Sequence, residues 1–127
     1  EVISLPLQID SSNPDAIEQA CRYYNGKPLI NSVNGKMETM EAIFPIVKKY
    51  GGVVIGLTLD ENGIPAKAKD RYEIAKKIIA TAKKFGISKE NIIIDCLVLT
   101  VSAQQKDVIE TIKAVKMVHL VYLIDHY

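Results

Sequence analysis

Three polar residues stand beside apolar segments in positions that suit ligand binding. Asp10 follows an apolar segment near the start of the chain, Asn31 follows a Pro, a Leu and an Ile, and Asp95 follows three consecutive Ile residues. A carboxylate accepts hydrogen bonds from N–H groups, whereas a carboxamide offers one acceptor and two donors in a fixed plane. Two carboxylates and one amide at neighbouring strand ends could therefore bind the edge of an amino-pyrimidinone ring.

Each of these residues also has a purely structural explanation. Asp10 could cap the helix that follows it, although the Ser, Ser and Asn at residues 11–13 compete for that position. Asn31 opens a segment, residues 31–35, whose Asn, Ser and Gly content is typical of turns. Asp95 interrupts an apolar strand, where a buried carboxylate is strongly destabilising unless it is paired or hydrogen-bonded. We therefore expect a ligand or a neighbouring strand end to supply its partners.

The segments that position these residues alternate between apolar strands and amphipathic helices. The sequence predicts strands at residues 2–9, 28–30, 53–59 and 92–99, with a helix after each strand. Pro45 lies inside the second predicted helix and should kink or divide it.

The end of the chain differs from the rest. The last helix is expected to bury one apolar stripe, which consists of Val108, Ile109, Ile112, Val115 and Val118. We divide the chain into a body, residues 1–117, and an atypical tail, residues 118–127. Within this tail, the apolar residues 120–124 could form a fifth strand.

Apolar strands that alternate with helices through short connections predict an α/β fold with a parallel sheet covered by helices. Because the crossovers of such a sheet share one hand, the carboxyl ends of its strands emerge at the same edge. Asp10, Asn31 and Asp95 should therefore lie together at that edge.

The composition argues against several classes of partner and site. The 127 residues carry a formal charge of only +1, which disfavours nucleic acid and anionic membrane surfaces as partners. No apolar run approaches the ~20 residues that span a bilayer. Both His residues, His119 and His126, lie in the tail, so no His-based metal site or nucleophile relay is expected. Cys21 and Cys96 match no metal or disulfide pattern, which predicts reduced thiols in a cytoplasmic protein.

Three segments at predicted strand ends form a recognisable set. They read LPLQIDSS at residues 5–12, KPLINSVNG at residues 27–35, and NIIID followed by LVLTVS between residues 91 and 102. In this order they resemble the pterin-binding, or folate-binding, domain of cobalamin-dependent methionine synthases and of the related methyltetrahydrofolate methyltransferases. The resemblance covers residues 1–117 and implies a (β/α)8 TIM barrel that binds methyltetrahydrofolate at its carboxyl-terminal mouth.

The resemblance also implies roles for individual residues. Asp10, Asn31 and Asp95 would recognise the pterin ring, and Ser32 and Asn34 would line the same site. In the family reaction the N5-methyl group passes to cob(I)alamin held by a separate domain, so no cobalamin is expected on this chain. Catalysis there rests on positioning and on stabilisation of protonated N5. No catalytic residue and no metal ligand of this chain is implied.

The chain departs from this family in the number of its units. Such a barrel needs about 250 residues and eight strands, whereas this sequence predicts four βα units, or half a barrel. The family's next strand carries an Asn that contacts N5, and no matching segment follows Val118. The chain is therefore expected to be a fragment of a methyltransferase domain that is not active alone.

Alternatives stay open at the level of sequence. The chain could be a half-barrel with a purely structural or self-assembling role. It could also be a dihydropteroate synthase-like enzyme, although that family usually has Asp-Thr where Asp10-Ser11 stands and Asn-Asp where Asn31-Ser32 stands. Since four parallel strands leave two open edges, we expect either a homodimer through those edges, which we favour, or a doubly wound sheet.

Overall fold

The computed structural model describes residues 5–98 and 105–124, and within them four βα units follow one another. The elements are β1 Gln8–Asp10, α1 Pro14–Tyr23, β2 Leu29–Asn34, α2 Met37–Tyr50, β3 Val53–Leu57, α3 Ala68–Lys84, a 3-10 turn Lys89–Asn91, β4 Ile92–Asp95 and α4 Gln105–Ile124. The strands form one parallel sheet in the order β1-β2-β3-β4. The predicted α/β class is confirmed, and the arrangement is that of half a TIM barrel.

One face of the sheet is covered by helices and forms the hydrophobic core. Ile30, Val54 and Ile92 occupy one row across β2, β3 and β4 and are buried. The helices contribute to the same core Ile17 and Cys21 from α1, Met40 and Phe44 from α2, and Ile74 and Ile78 from α3. Because these helices pack against the same face, the alternative of a doubly wound sheet is wrong.

Local sequence signals place the ends of the first two helices. The Asn13 side chain accepts hydrogen bonds from the backbone N–H groups of Asp15 (2.9 Å) and Ala16 (3.3 Å), and Pro14 begins α1. α2 ends at Tyr50 and is capped by Gly51, whose left-handed φ of 64° is a conformation that glycine adopts without strain.

The other face of the sheet is not covered by α1, α2 or α3. The pairing register places Asp10, Asn31, Ile55 and Ile93 in one row on this face. Ile93 is 49% exposed, and Ile55 is half-buried. In a complete barrel this face points to the interior, so the described half leaves apolar side chains open.

The strand bounds differ from the predicted ones. Residues 2–4 of the first predicted strand lie outside the described residues, and β1 begins only at Gln8. The turn predicted at residues 31–35 is wrong for most of its length, because pairing with β3 continues β2 to Asn34. β3 and β4 both end earlier than predicted, β4 at Asp95.

α2 runs past Pro45 as one helix, so the expected division of this helix is wrong. Proline removes the hydrogen bond to the carbonyl four residues earlier, which belongs to Glu41. Both Pro45 and Glu41 are exposed. Water can therefore satisfy that carbonyl, and the loss of one hydrogen bond does not end the helix.

α4 continues without interruption to Ile124 and crosses residue 118, the predicted start of the tail. The possible fifth strand at residues 120–124 is therefore wrong, because these residues extend the helix. Within the described ranges, no helix combines the length and the apolar character needed to cross a membrane.

The apolar stripe predicted to be buried on α4 is largely exposed. Val118 is buried, but Ile109, Ile112 and Val115 are each more than half exposed. α4 packs instead through a face that includes Ala114 and Val118, against small residues of α3. The helix therefore carries a second apolar face that the described part of the chain leaves uncovered.

A buried ion pair joins α3 to α4. The Arg71 guanidinium and the Asp107 carboxylate lie 2.5 Å apart, and their side chains are 1% and 7% exposed. The same guanidinium donates hydrogen bonds to the backbone carbonyls of Pro65, Cys96 and Leu97 and to the hydroxyl of Thr111. One buried cation thus holds together the loop before α3, the segment after β4 and the first turns of α4.

Tyr122 anchors the other end of α4 on β4. Its hydroxyl donates a hydrogen bond of 2.9 Å to the backbone carbonyl of Ile92. Burial raises the pKa of Tyr122 from 10.0 to about 12. The folded state therefore holds the phenolic proton more tightly than the unfolded state does.

Replacing Arg71 with Met should strongly destabilise the fold. The substitution leaves the Asp107 carboxylate buried without its cation, a change that typically lowers the free energy of unfolding by about 3–5 kcal/mol. Urea denaturation followed by circular dichroism measures this loss.

The double variant Arg71→Met/Asp107→Leu is the matched control. Because it removes the buried carboxylate as well, it should be more stable than Arg71→Met alone. A double variant that is equally or less stable would contradict the assignment of the loss to the unpaired charge.

The contribution of Tyr122 to stability should depend on pH. It should be fully present below pH 10 and decline as the pH rises from 10 towards 12, where the unfolded phenol ionises first. Tyr122→Phe cannot ionise at this position, so the difference in unfolding free energy between the parent protein and this variant should shrink over that interval. Denaturation at a series of alkaline pH values provides the measurement. A difference in unfolding free energy that stays constant with pH would contradict a raised pKa of Tyr122 in the folded state.

Candidate functional site

A cavity opens at the carboxyl-terminal edge of the sheet, between the ends of β1 and β2 and the start of α2. Its volume is about 460 Å³, which lies within the roughly 300–1,000 Å³ of small-molecule sites. Its polar lining comprises Asp10, Ser11, Ser12, Asn31, Ser32, Asn34, Lys36, Glu38 and Thr39, and its apolar lining Pro14, Ala42 and Ile43. The predicted site residues of the first two βα units therefore surround one cavity.

Asp10 is the last residue of β1 and is exposed at the rim of this cavity. The explanation of Asp10 as a helix cap is excluded, because Asn13 caps α1. Ser11 in turn accepts a hydrogen bond of 3.1 Å from the backbone N–H of Asn13. The Asp10 carboxylate is therefore not needed to start the helix and can face a ligand.

Asn31 lies beside Asp10, because the two residues are register partners in the parallel pair β1–β2. The Asn31 Nδ2 group donates a hydrogen bond of 3.3 Å to Oδ2 of Asp10. Within the described part of the chain, Oδ1 of Asp10 and the amide oxygen of Asn31 then have no hydrogen-bond donor. The pair thus offers two neighbouring acceptors to N–H groups of a ligand.

Ser32 is half-buried in the wall of the cavity, immediately after Asn31. The register of β2 against β3 shifts between Asn31 and Val33, so Ser32 is the extra residue of a β-bulge. The peptide bond between Asn31 and Ser32 is cis.

Asn34 also lines the cavity, but its side chain has structural partners. Its Oδ1 accepts hydrogen bonds of 2.9 Å from the backbone N–H of Lys36 and from the hydroxyl of Thr39. These bonds organise the connection between β2 and α2. The Asn34 oxygen is therefore occupied, and only its amide nitrogen is left for a ligand.

Asp95 does not have the environment that the sequence predicts. It is exposed and ends β4, so the expectation of a buried carboxylate inside an apolar strand is wrong. The chain leaves the strand here because Oδ1 of Asp95 accepts a hydrogen bond of 2.8 Å from the N–H of Leu97, which has a positive φ of 54°. Asp side chains commonly form such local turns.

Asp95 shares the edge and the face of the sheet with Asp10 and Asn31, but it does not line their cavity. The register pairs it with Leu57 on β3. Asp95 borders a second depression of about 360 Å³, which is otherwise formed mainly by apolar residues of β3, β4, the segment after β4 and α4. Three interstrand spacings separate β1 from β4, or about 14 Å along the sheet.

Arg71 positions the segment that carries Asp95, and the sequence analysis missed it. Its Nη1 group donates to the carbonyl oxygens of Cys96 (3.2 Å) and Leu97 (2.8 Å), directly after the carboxylate. One signal was available in the sequence. Arg71 follows Ala68 by three residues and so falls on the buried stripe of α3, where a lone cation must have partners.

Cys96 lies next to Asp95 but does not suit the role of a nucleophile. Its side chain is buried, and burial together with the charge of the Asp95 carboxylate raises the pKa of the thiol. A thiol with a raised pKa stays protonated at neutral pH and is a poor nucleophile. The arrangement therefore suits the binding of a polar ring more than covalent catalysis.

The sequence is similar to one protein family and to several named proteins. It matches the family described as "Pterin binding enzyme" over residues 1–124. It is 31% identical over 125 residues to a methionine synthase of Mycobacterium leprae (strain TN), an alignment that covers 91% of this chain and 10% of that protein. It is also 30% identical over 123 residues to a methionine synthase of Mycobacterium tuberculosis (strain ATCC 25618 / H37Rv). This second alignment covers 89% of this chain and 10% of that protein.

A third relative is a methylcorrinoid:tetrahydrofolate methyltransferase of Eubacterium limosum. It is 27% identical over 106 residues, which cover 82% of this chain and 39% of that protein. This chain thus spans about a tenth of the length of the two synthases.

Asn31 and Asn34 should respond differently to replacement by Ala. Asn34→Ala removes the acceptor of two hydrogen bonds at the start of α2 and should lower the free energy of unfolding by about 1–2 kcal/mol. Asn31→Ala removes one contact to an exposed carboxylate and should cost less than about 0.5 kcal/mol. Chemical denaturation of the two variants side by side measures both free energies of unfolding. Equal losses would contradict the assignment of a structural role to the Asn34 amide and of a ligand-binding role to the Asn31 amide.

Proposed function

Because the chain belongs to the family of pterin binding enzymes, we propose that the cavity at the ends of β1 and β2 binds the pterin ring of methyltetrahydrofolate. The observation that carries this proposal is the contact between Asp10 and Asn31 at the rim of the cavity. The names of the relatives, methionine synthase and methylcorrinoid:tetrahydrofolate methyltransferase, support folate as the ligand class.

The chemistry of the pair matches the edge of a pterin. The amino-pyrimidinone edge presents N–H donors, and the Asp10 carboxylate accepts them in charge-assisted hydrogen bonds. Asn31 is oriented by its own bond to Asp10, so its amide oxygen is presented in a fixed direction. Hydrogen bonds to a charged group contribute about 1.5–3 kcal/mol each, enough to decide between ring orientations.

Asp95 is assigned to the same site as its third recognition residue. It approaches the ligand from the far side of the open sheet face, and half-buried Ile55 between the two carboxylates offers an apolar surface to a flat ring. Ser32 and Asn34 complete the wall, Asn34 through its amide nitrogen. The site therefore combines polar groups at its rim with an apolar floor, as ligand sites commonly do.

The whole protein, of which this chain represents a part, is proposed to transfer the N5-methyl group of methyltetrahydrofolate to cob(I)alamin on a separate domain in methionine synthesis. The residues of this chain hold the pterin in one orientation, which is a positioning contribution to the rate. None of them is assigned to the protonation of N5. The chain alone is therefore expected to bind the substrate without catalysing the transfer.

The same proposal places the protein in the cytoplasm. Cys21 and Cys96 are both free and buried thiols, which suits a reducing compartment. The net charge of only +1 disfavours nucleic acid and anionic membranes as partners. A second copy of the chain, joined through the open sheet edges, is the proposed protein partner.

Calorimetric titration with 5-methyltetrahydrofolate measures the proposed binding. Asp10→Asn should weaken it at least about tenfold, because the variant replaces a charge-assisted acceptor with a neutral amide. Asp95→Asn should abolish measurable binding if the third carboxylate contacts the same ring. Both carboxylates are exposed, so neither change should unfold the protein.

Asp15→Asn is the matched control for these titrations. Asp15 is an exposed carboxylate in the first turn of α1 that does not line the cavity, so its variant should bind like the parent protein. A parent protein that does not bind the folate would contradict the proposal and favour a half-barrel with a structural role. Product formation from a pterin pyrophosphate and p-aminobenzoate would favour dihydropteroate synthase chemistry instead.

A further inference from the structure

Lys36 contributes a positive charge to the cavity that Asp10 and Asn31 border. It is the residue directly before α2, and its side chain is half-buried in the lining of the cavity. Within the part of the chain that the structure describes, it is the only cation in this lining. Its backbone makes hydrogen bonds, but no described residue accepts one from its ammonium group. The ammonium is therefore available to an anionic group of a ligand.

The backbone around Lys36 is fixed, so its side chain starts from a defined point. The Lys36 N–H donates a hydrogen bond of 2.9 Å to Oδ1 of Asn34, and its carbonyl accepts one of 3.0 Å from the hydroxyl of Thr39. The carbonyl of the preceding residue, Gly35, accepts a hydrogen bond of 2.6 Å from the Lys77 ammonium. A ligand that binds Lys36 has to immobilise only its side chain, which keeps the entropic cost of binding low.

Lys36 stands farther out along the strand direction than the pair proposed to bind the pterin. Asp10 and Asn31 are register partners, and β2 continues past them for three residues, roughly 10 Å, to Asn34. Lys36 follows two residues later, on the carboxyl-terminal side of the pair. With the amino-pyrimidinone edge held by the pair, the opposite edge of the pterin points away from it. In a folate that edge carries the p-aminobenzoyl group and the glutamate tail.

We propose that Lys36 binds a carboxylate of the glutamate tail while Asp10 and Asn31 bind the pterin ring. The ammonium donates a charge-assisted hydrogen bond to the anion, and its partial burial limits screening by salt. Lys36 thereby selects folates over pterins that lack an anionic tail. This role of Lys36 rests on the proposed function, because it requires the ring orientation described there, and it adds a specificity-determining residue to that site.

Glu38 places a negative charge in the same lining, and its effect on a folate tail should oppose that of Lys36. The Glu38 carboxylate is exposed in the first turn of α2, where water and salt screen it more strongly than the half-buried ammonium. Glu38→Gln should therefore bind 5-methyltetrahydrofolate as tightly as the parent protein or slightly more tightly. Weaker binding by this variant would overturn the placement of an anionic group at this wall.

Calorimetric titration of two ligands into two proteins measures the proposed contact. The ligands are 5-methyltetrahydrofolate and its diamide, in which both glutamate carboxylates are neutral amides. The parent protein should bind the folate about three- to tenfold more tightly than the diamide, because the charge-assisted hydrogen bond is only partly screened. Lys36→Gln should bind the two ligands about equally and should leave the affinity for the diamide unchanged.

Lys67→Gln is the matched control. Lys67 directly precedes α3 as Lys36 precedes α2, and both residues have an extended backbone and no side-chain cap there. Lys67 is exposed and does not line the cavity, so this variant should prefer the folate to the diamide as the parent protein does. Lys36→Arg keeps the charge and should retain most of the preference. Circular dichroism verifies the fold of each variant.

Ionic strength provides a second readout of the same contact. Raising it from about 0.05 M to about 0.5 M should reduce the preference of the parent protein for the folate, because salt screens the attraction. The Lys36→Gln variant has no such attraction, so its relative affinity for the two ligands should not change. A preference of the parent protein that is independent of salt would overturn a charge contact.

The same titrations separate failure of the Lys36 contact from failure of the pterin site. If Lys36→Gln weakens binding of the folate and the diamide equally, the contact with the tail is overturned, because the lysine then acts on the ring or on the fold. A parent protein that binds both ligands equally, and more tightly than Asp10→Asn does, would overturn the contact and support the pterin site. A parent protein that binds neither ligand would contradict the proposed function and the role of Lys36 together.

Discussion

Parallel pairing of consecutive strands is the constraint on which the rest of this molecule depends. Because every strand must run in the same direction, each connection has to return across the sheet, and the helices that make these returns cover one face. All strand carboxyl ends then meet at one edge. The same constraint therefore creates the cavity at β1 and β2, the position of Asp95 at the same edge of the sheet, and an opposite face that α1, α2 and α3 do not cover.

The Arg71 guanidinium is the second structural element on which the ligand-facing rim depends. It is buried with Asp107 and holds the backbone that follows Asp95. A buried ion pair of this kind contributes little more to the free energy of unfolding than an apolar pair would. Removal of one partner is nevertheless strongly destabilising, because it leaves the other charge buried and unpaired. The pair acts here by fixing positions. Arg71 links α4 and the loop before α3 to the segment after β4, so the rim beside Asp95 has a defined shape.

The sequence predicted the larger features of the fold and failed at particular elements. The α/β class, the order of the four units and the resemblance to pterin-binding proteins are confirmed. The assignments of Asp10, Asn31, Ser32, Asn34 and Asp95 to a pterin site stay predictions. Segment 31–35 has the composition of a turn, yet it pairs with β3, because a neighbouring strand can override local preference. Asp95 was placed inside a strand because apolar residues follow it, whereas its own side chain ends that strand.

Amino-acid order by itself determined the alternation of apolar and polar segments, and therefore the number and kind of elements, because the periods of helices and strands are local properties. It also predicted that the first strand gives way to a polar segment at Asp10. Only the tertiary structure decided that Asp10 and Asn31 share a cavity while Asp95 borders another depression, that Arg71 is buried, and that most of the apolar stripe of α4 is exposed. The reason is that burial and proximity depend on which elements pack together, and residues far apart in the chain make those contacts.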